Sequence, residues 1–248
     1  MLAIFKKELH AYFINPVGYV YVGVFLTAAA LICAYTTIQQ ASYDTSAYFQ
    51  DLLFAFIVLI PLLTMRLFAE ERKMRTEQLL LTSPVTITGM VMGKYLAALT
   101  LFASTVLVSC INFFPLFSYA IAEKAASTVE DTHVGPIGGQ IVGCLIGVIL
   151  IGAAFIAVGL FISSLTENQL SAAVITIGVL VALLFVGMFN SYISAAPIRA
   201  VLSWISILSR YEGFAMGLFD FAAVIYYLSI IGVCLFLTVR VYEKRRWG

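Results

Sequence analysis

The residues able to do chemistry in this sequence crowd into one short stretch. Glu70, Glu71, Arg72, Lys73, Arg75 and Glu77 fall within eight consecutive positions, and Leu79, Leu80 and Leu81 follow after Gln78. The chemistry on offer is recognition: carboxylates and bases that can pair with a partner protein, beside leucines that can pack against it. Catalysis has no comparable foothold. The chain lacks the GxxxxGK[ST] loop that cradles nucleotide phosphates, an HExxH helix and a GxSxG elbow. Cys33, Cys110, Cys144 and Cys234 sit in apolar segments at wide, irregular spacings that suit neither a metal site nor a disulfide framework. No catalytic, metal or cofactor residue is assigned.

The elements that must position this stretch belong to a membrane. Of the 248 residues, 62% are hydrophobic and 11% charged, against about half and a quarter in a soluble domain. Stretches 95–122, 134–166 and 221–239 hold no Asp, Glu, Lys or Arg, and each is long enough for a hydrocarbon core, which takes about 20 apolar residues. The predicted fold is an all-α membrane protein with six spans near 17–38, 51–69, 95–121, 137–162, 169–190 and 221–240. Eleven of the fourteen basic residues collect before span one, between spans two and three, and after span six. The positive-inside rule then puts both termini in the cytoplasm, which requires an even number of crossings. The net charge of +1 excludes nucleic acid as a partner, since backbone binding needs a concentrated basic surface. The start of the chain has no cleavable leader pattern and reads as retained.

Three segments read as amphipathic and non-spanning. Leu2, Phe5, Leu9 and Tyr12/Phe13 recur at helical spacing with Lys6, Lys7 and His10 elsewhere, the pattern of a helix at the membrane surface. Residues 70–81 predict a second helix, and Ser83–Pro84 the capped start of a third that runs into span three. Between spans five and six, Arg199, Ser203, Ser206 and Arg210 form a polar stripe over 197–211, with Trp204 and Tyr211 as headgroup anchors.

Gly139, Gly143 and Gly147 lie on one face of span four and predict close helix packing within the subunit. Pro61 and Pro115 predict kinks in spans two and three. Arg66 reads as a side chain extended to the headgroups. Glu167 falls in the link between spans four and five. The span interiors hold no ionisable residue, which disfavours an ion-coupled carrier.

Three stretches together resemble a known family, the permease subunits of type-2 ABC exporters: FKKELHAYF with NPVGYV, the loop EERKMRTEQLLLTSPVTITGMVMGKYLA, and SRYEGFAMGLFDFAAVIYYLSIIGVCLFLTVRVYEKRRW. The loop carries most of the likeness, through Glu70–Arg72, Thr76–Leu80, Thr82–Pro84 and Gly93–Lys94. The last stretch is most similar to the gliding-motility and copper-enzyme maturation branch. The resemblance implies one transmembrane domain over 1–248, a homodimer of permeases in the bacterial cytoplasmic membrane, and separate ATPase subunits that hold ATP and Mg. It implies residues 1–13, with Phe5, Lys6, Lys7 and Leu9, as an interface helix against lipid. Residues 70–81, with Glu70, Glu71, Arg72, Arg75, Glu77 and Leu79–Leu81, would be the coupling helix on the ATPase. Short outer helices over 197–217 would roof the pathway. The large outer domain of some relatives is missing. The expected function is a permease for ATP-driven export. The alternative is a non-transporting anchor or force-transmitting subunit of an ATPase complex.

Overall fold

Each long apolar run becomes a helix, because in hydrocarbon every backbone N–H and C=O must be satisfied within its own segment. The computed structural model describes residues 1–14, 16–39, 43–76, 78, 85–126, 135–187 and 206–247. In chain order the helices are α1 (Leu2–Ile14), α2 (Pro16–Cys33), α3 (Ser46–Thr64), α4 (Ala69–Lys73), α5 (Ile87–Ser109), α6 (Phe114–Ala126), α7 (Gly138–Leu165), α8 (Gln169–Phe185), α9 (Ile207–Ala215) and α10 (Phe221–Trp247). Among the described residues there is no strand.

Five segments are long and apolar enough to cross a bilayer: Pro16–Ile38, Ser46–Lys73, Ile87–Ile121, Gly138–Leu165 and Phe221–Arg246. The remaining expected span is represented by Gln169–Phe185, apolar but too short to be counted with them. Residues 188–205 lie outside the described ones. The segments headed by α3 and α7 are 61% buried against 28% for those of α2 and α10, so the first two form the middle of the bundle. Phe25, Phe56 and Phe102, all fully buried, pack in tilted and edge-to-face contacts where α2, α3 and α5 meet.

The glycines of α7 notch its surface for its neighbours. A Cβ on Gly143 would meet the Phe214 carbonyl and Gly217 at 3.0 Å, and one on Gly147 would meet the Tyr211 ring and Phe214 at 2.9 Å. The expected close packing is therefore made, with α9, while Gly139 faces open space. Pro115 acts as predicted by disturbing the ladder. It cannot donate to the Ile111 carbonyl, and the Phe114 N–H takes that carbonyl at the end of a 3₁₀ turn, Cys110–Phe113, which separates α5 from α6. Pro61 is carried inside α3, which ends three residues later.

The bundle has two distinct ends. At one, α1 meets the start of α5, and Arg245 of α10 donates to the Ser164 carbonyl at the end of α7 (2.7 Å). At the other, Cys33 of α2 donates to the Asn112 carbonyl, and Gln140 of α7 to Asp44 and the Ala215 carbonyl. Both described chain ends thus lie at the same end. The chain passes from that end to the opposite one between Gln169 and Ile207.

Candidate functional site

The charged stretch follows the last turn of α3. Its helix, α4, is only five residues long, and the expected helix over 70–81 stops at Lys73. The Arg75 N–H bonds the Arg72 carbonyl (3.1 Å) and the Thr76 N–H bonds the Glu71 carbonyl (2.9 Å), with Arg75 at φ 57°. That is the paired closure in which a left-handed residue turns the chain off a helix end. Helix propensity across this run loses to tertiary anchors, because Glu71 and Arg72 are each held by groups from other elements. Glu77 and Leu79–Leu81 lie outside the described residues, as do Ser83 and Pro84. The helix that enters the third apolar segment starts at Ile87, with Thr86 as its N-cap accepting from the Gly89 N–H (3.3 Å), and it runs unbroken into that segment.

At its other end α4 has no side-chain cap of its own. Ser163 of α7 supplies one: its Oγ accepts from the Phe68 and Ala69 N–H groups, both at 3.2 Å, and donates to the Met65 carbonyl at 3.2 Å. Glu70 and Glu71 occupy the first turn and Arg72 and Lys73 the last, which suits the helix dipole.

The centre of the site is Lys94. It is the only charged residue of α5 and 1% exposed. Its Nζ donates to Glu8 Oε1 (3.0 Å), to the Leu67 carbonyl (2.7 Å) and ion-pairs with Glu71 Oε1 (2.8 Å), with the Phe68 ring 5.1 Å away. Three donors meet three acceptors, so the buried ammonium is saturated. Glu8 is reached because α1 packs on α5, where Ile4 rests on Gly93: a Cβ there would come within 3.1 Å of it. A cavity of about 240 Å³, lined by Lys7, Glu8, Arg66, Glu70, Glu71 and Lys94 among others, opens beside the cluster.

The sequence-predicted residues divide in two. Glu71 points inward to Lys94. Glu70 pairs with Arg66 (3.0 Å), whose side chain is 13% exposed and lies over the Tyr12 ring; Arg66 is therefore an internal partner and does not extend to the headgroups. Arg72 pairs with Glu167 (2.7 Å) and donates to the Leu165 carbonyl (3.2 Å). Lys73, Met74, Arg75 and Thr76 face outward, Met74 at 68% exposure. On α1, Phe5 and Leu9 are half-buried and Lys6 and Lys7 exposed, but the buried stripe is Ile4 and Tyr12 with Glu8 between them. Tyr12 donates to the Leu63 carbonyl (3.3 Å). Burial raises its pKa, and the Glu8 carboxylate adds to the rise, so it remains a neutral donor.

At the far end Tyr211 is buried against Gly147 and is not a headgroup anchor, because the notch in α7 admits its ring. Ser206 is likewise buried, as the N-cap of α9, rather than part of an exposed stripe. Arg199, Ser203 and Trp204 lie outside the described residues. Among the described residues no His, Cys, Asp and Glu cluster could hold a metal ion, and the four cysteines are unpaired with one another.

The family model described as ABC-2 family transporter protein matches residues 34–240. The chain belongs to the ABC-2 transporter family. No curated protein matches it. As an ABC-2 family member it is a multi-pass membrane protein and a permease component of an ABC transporter, that is, a transport subunit. The match begins at the π-helical turn Ala34–Ile38 that follows α2, so α1 and its Glu8 lie before it while Glu71 and Lys94 lie within it. Sequence reasoning missed the role of Lys94. Its signal was a single charge seven residues into a long apolar helix.

Proposed function

We propose that this ABC-2 permease crosses the membrane six times with both termini cytoplasmic, works as a homodimer in the bacterial cytoplasmic membrane, and exports substrate under the drive of separate ATPase subunits. The observation that carries the reading is the outward turn Lys73–Met74–Arg75. Glu71 is drawn inward by Lys94 and Glu70 is paired with Arg66, which leaves a basic tip with an exposed Met74 at the end of the bundle that holds both described chain ends. Such a tip fits an acidic socket on an ATPase partner. The six-pass reading draws support from the shift of the chain between bundle ends across 169–207. Exposed Leu2, Phe13 and Ile14 on α1, at 74%, 45% and 67%, support a helix resting against lipid. The likeness of the last stretch to the gliding-motility and copper-enzyme maturation branch is the finer assignment proposed with it.

Lys73→Glu with Arg75→Glu is the test. Like charges set against each other at a contact cost several kcal/mol, so affinity for the ATPase should fall on the order of a hundredfold, with insertion and dimerisation unchanged. Undiminished co-purification and unchanged stimulation of ATP hydrolysis would sink the docking reading. For the topology, N- and C-terminal tags are expected to resist an impermeant label from outside intact cells. Labelling of either one removes the six-span map.

A further inference from the structure

Three parts of the chain, around positions 8, 71 and 94, converge on one buried ammonium. We infer that Lys94 is a positioning residue that joins α1, the α4 turn and α5 into one rigid unit, so that displacement of the Lys73–Arg75 tip is delivered to the N-terminal helix and α5. The delivery half rests on the reading of that tip as the ATPase contact; the rigid unit does not.

α4 is held unequally on its different sides. Toward α3 the covalent link runs through the turn Met65–Phe68, and the Leu67 carbonyl in that turn is itself held by Lys94. Toward α7 and α8 there are three contacts, one of them the solvent-exposed hydrogen bond from Arg72 to the Leu165 carbonyl (3.2 Å). Ser163 holds the first turn of α4 through neutral hydrogen bonds at its amides. The Arg72–Glu167 pair is 26% and 75% exposed, and solvent-facing pairs of this kind resist little. Toward α1 and α5 the contact is buried and charge-assisted on both sides, the stronger type of hydrogen bond. A tip pushed from outside therefore pivots about Ser163, slips along Glu167 and carries Lys94 with it. α1 follows through Glu8.

Hydrogen exchange on the purified chain in detergent tests the unit without any ATPase. In Lys94→Met, two carboxylates lose their shared cation, and exchange is expected to rise about tenfold or more over 2–14 and 65–76 while 138–165 keeps its protection. Should that variant not fold, Glu8→Gln decides, because it leaves Lys94 bonded to Glu71 and Leu67. Exchange should then rise over 2–14 alone. No change in 2–14, or an equal rise across 138–165, overturns the inference. The delivery half is read on the complex of Glu8→Gln with the ATPase subunit. KM for ATP should hold, since the nucleotide site is untouched, and kcat should shift several-fold toward that of the free ATPase. A loosened α1 with kcat unchanged overturns delivery and leaves the rigid unit standing. Failure of the unmodified chain to bind the ATPase would instead remove the docking reading.

Discussion

Gly152→Leu is expected to leave no folded, monodisperse protein after extraction, and Gly152→Ala to destabilise by about 1–3 kcal/mol. Helix propensity alone predicts the opposite sign for alanine, a gain of about 1 kcal/mol. Packing decides against it. A Cβ at this position runs into the Phe102 ring, and that ring has nowhere to go: it is fully buried, with the Phe56 ring centroid 5.1 Å away and the Phe25 centroid 6.3 Å away. Moving Phe102 means moving the interior where α2, α3 and α5 meet. Phe102→Leu in the Gly152→Ala background shortens the obstructing end and should recover most of the loss. Gly139→Ala supplies the contrast, because nothing stands within 4 Å of the Cβ it would add. Thermal midpoints followed by size-exclusion chromatography are the measurement. Equal effects at Gly152 and Gly139, or no recovery in the double variant, would show that the notch is not what Gly152 is for.

What the sequence made legible follows from how far each signal reaches along the chain. Apolar length is local, so the segments headed by α2, α3, α5, α7 and α10 could be placed from composition, with edges displaced where a helix continues past its apolar part. That is why α5 begins at Ile87, well before the expected 95. The Gly143 and Gly147 spacing is also local, and it correctly predicted packing within the subunit. The site was less legible because its contacts are long-range. Glu71 and Lys94 are 23 positions apart, and Glu8 and Lys94 are 86 apart. Neither separation leaves a periodic trace. Reading 70–81 as one helix followed from propensity and failed because inward anchoring of Glu71 and Arg72 turns the chain at Arg75. Arg66 and Tyr211 went wrong in the same way: both were given the environment usual for their residue type near a membrane surface, and both have partners inside the fold.

The adjacent serines 163 and 164 separate a hydroxyl that holds two elements together from one that serves only its own helix. Both are buried, at 1% and 0% exposure. Ser164 Oγ donates to the Phe161 carbonyl three residues back, and the carbonyl that Arg245 uses is the backbone of Ser164, which alanine keeps. Ser164→Ala should therefore change stability by less than about 1 kcal/mol, the usual net worth of one such bond. Ser163→Ala removes the acceptor of the Phe68 and Ala69 N–H groups and the donor to the Met65 carbonyl, leaving three backbone groups at the start of α4 without their partner. Each orphaned buried group costs about 1–3 kcal/mol, less where water can enter. The sum expected here is roughly 2–4 kcal/mol, because α4 lies at the end of the bundle and relaxes in part. Exchange should rise over 65–76, the turn and the short helix, before it rises anywhere in α7. Ser163→Thr keeps the hydroxyl and should retain most of that protection. Equal losses for Ser163→Ala and Ser164→Ala, or protection lost first within α7, would mean that the cap on α4 is not supplied by Ser163.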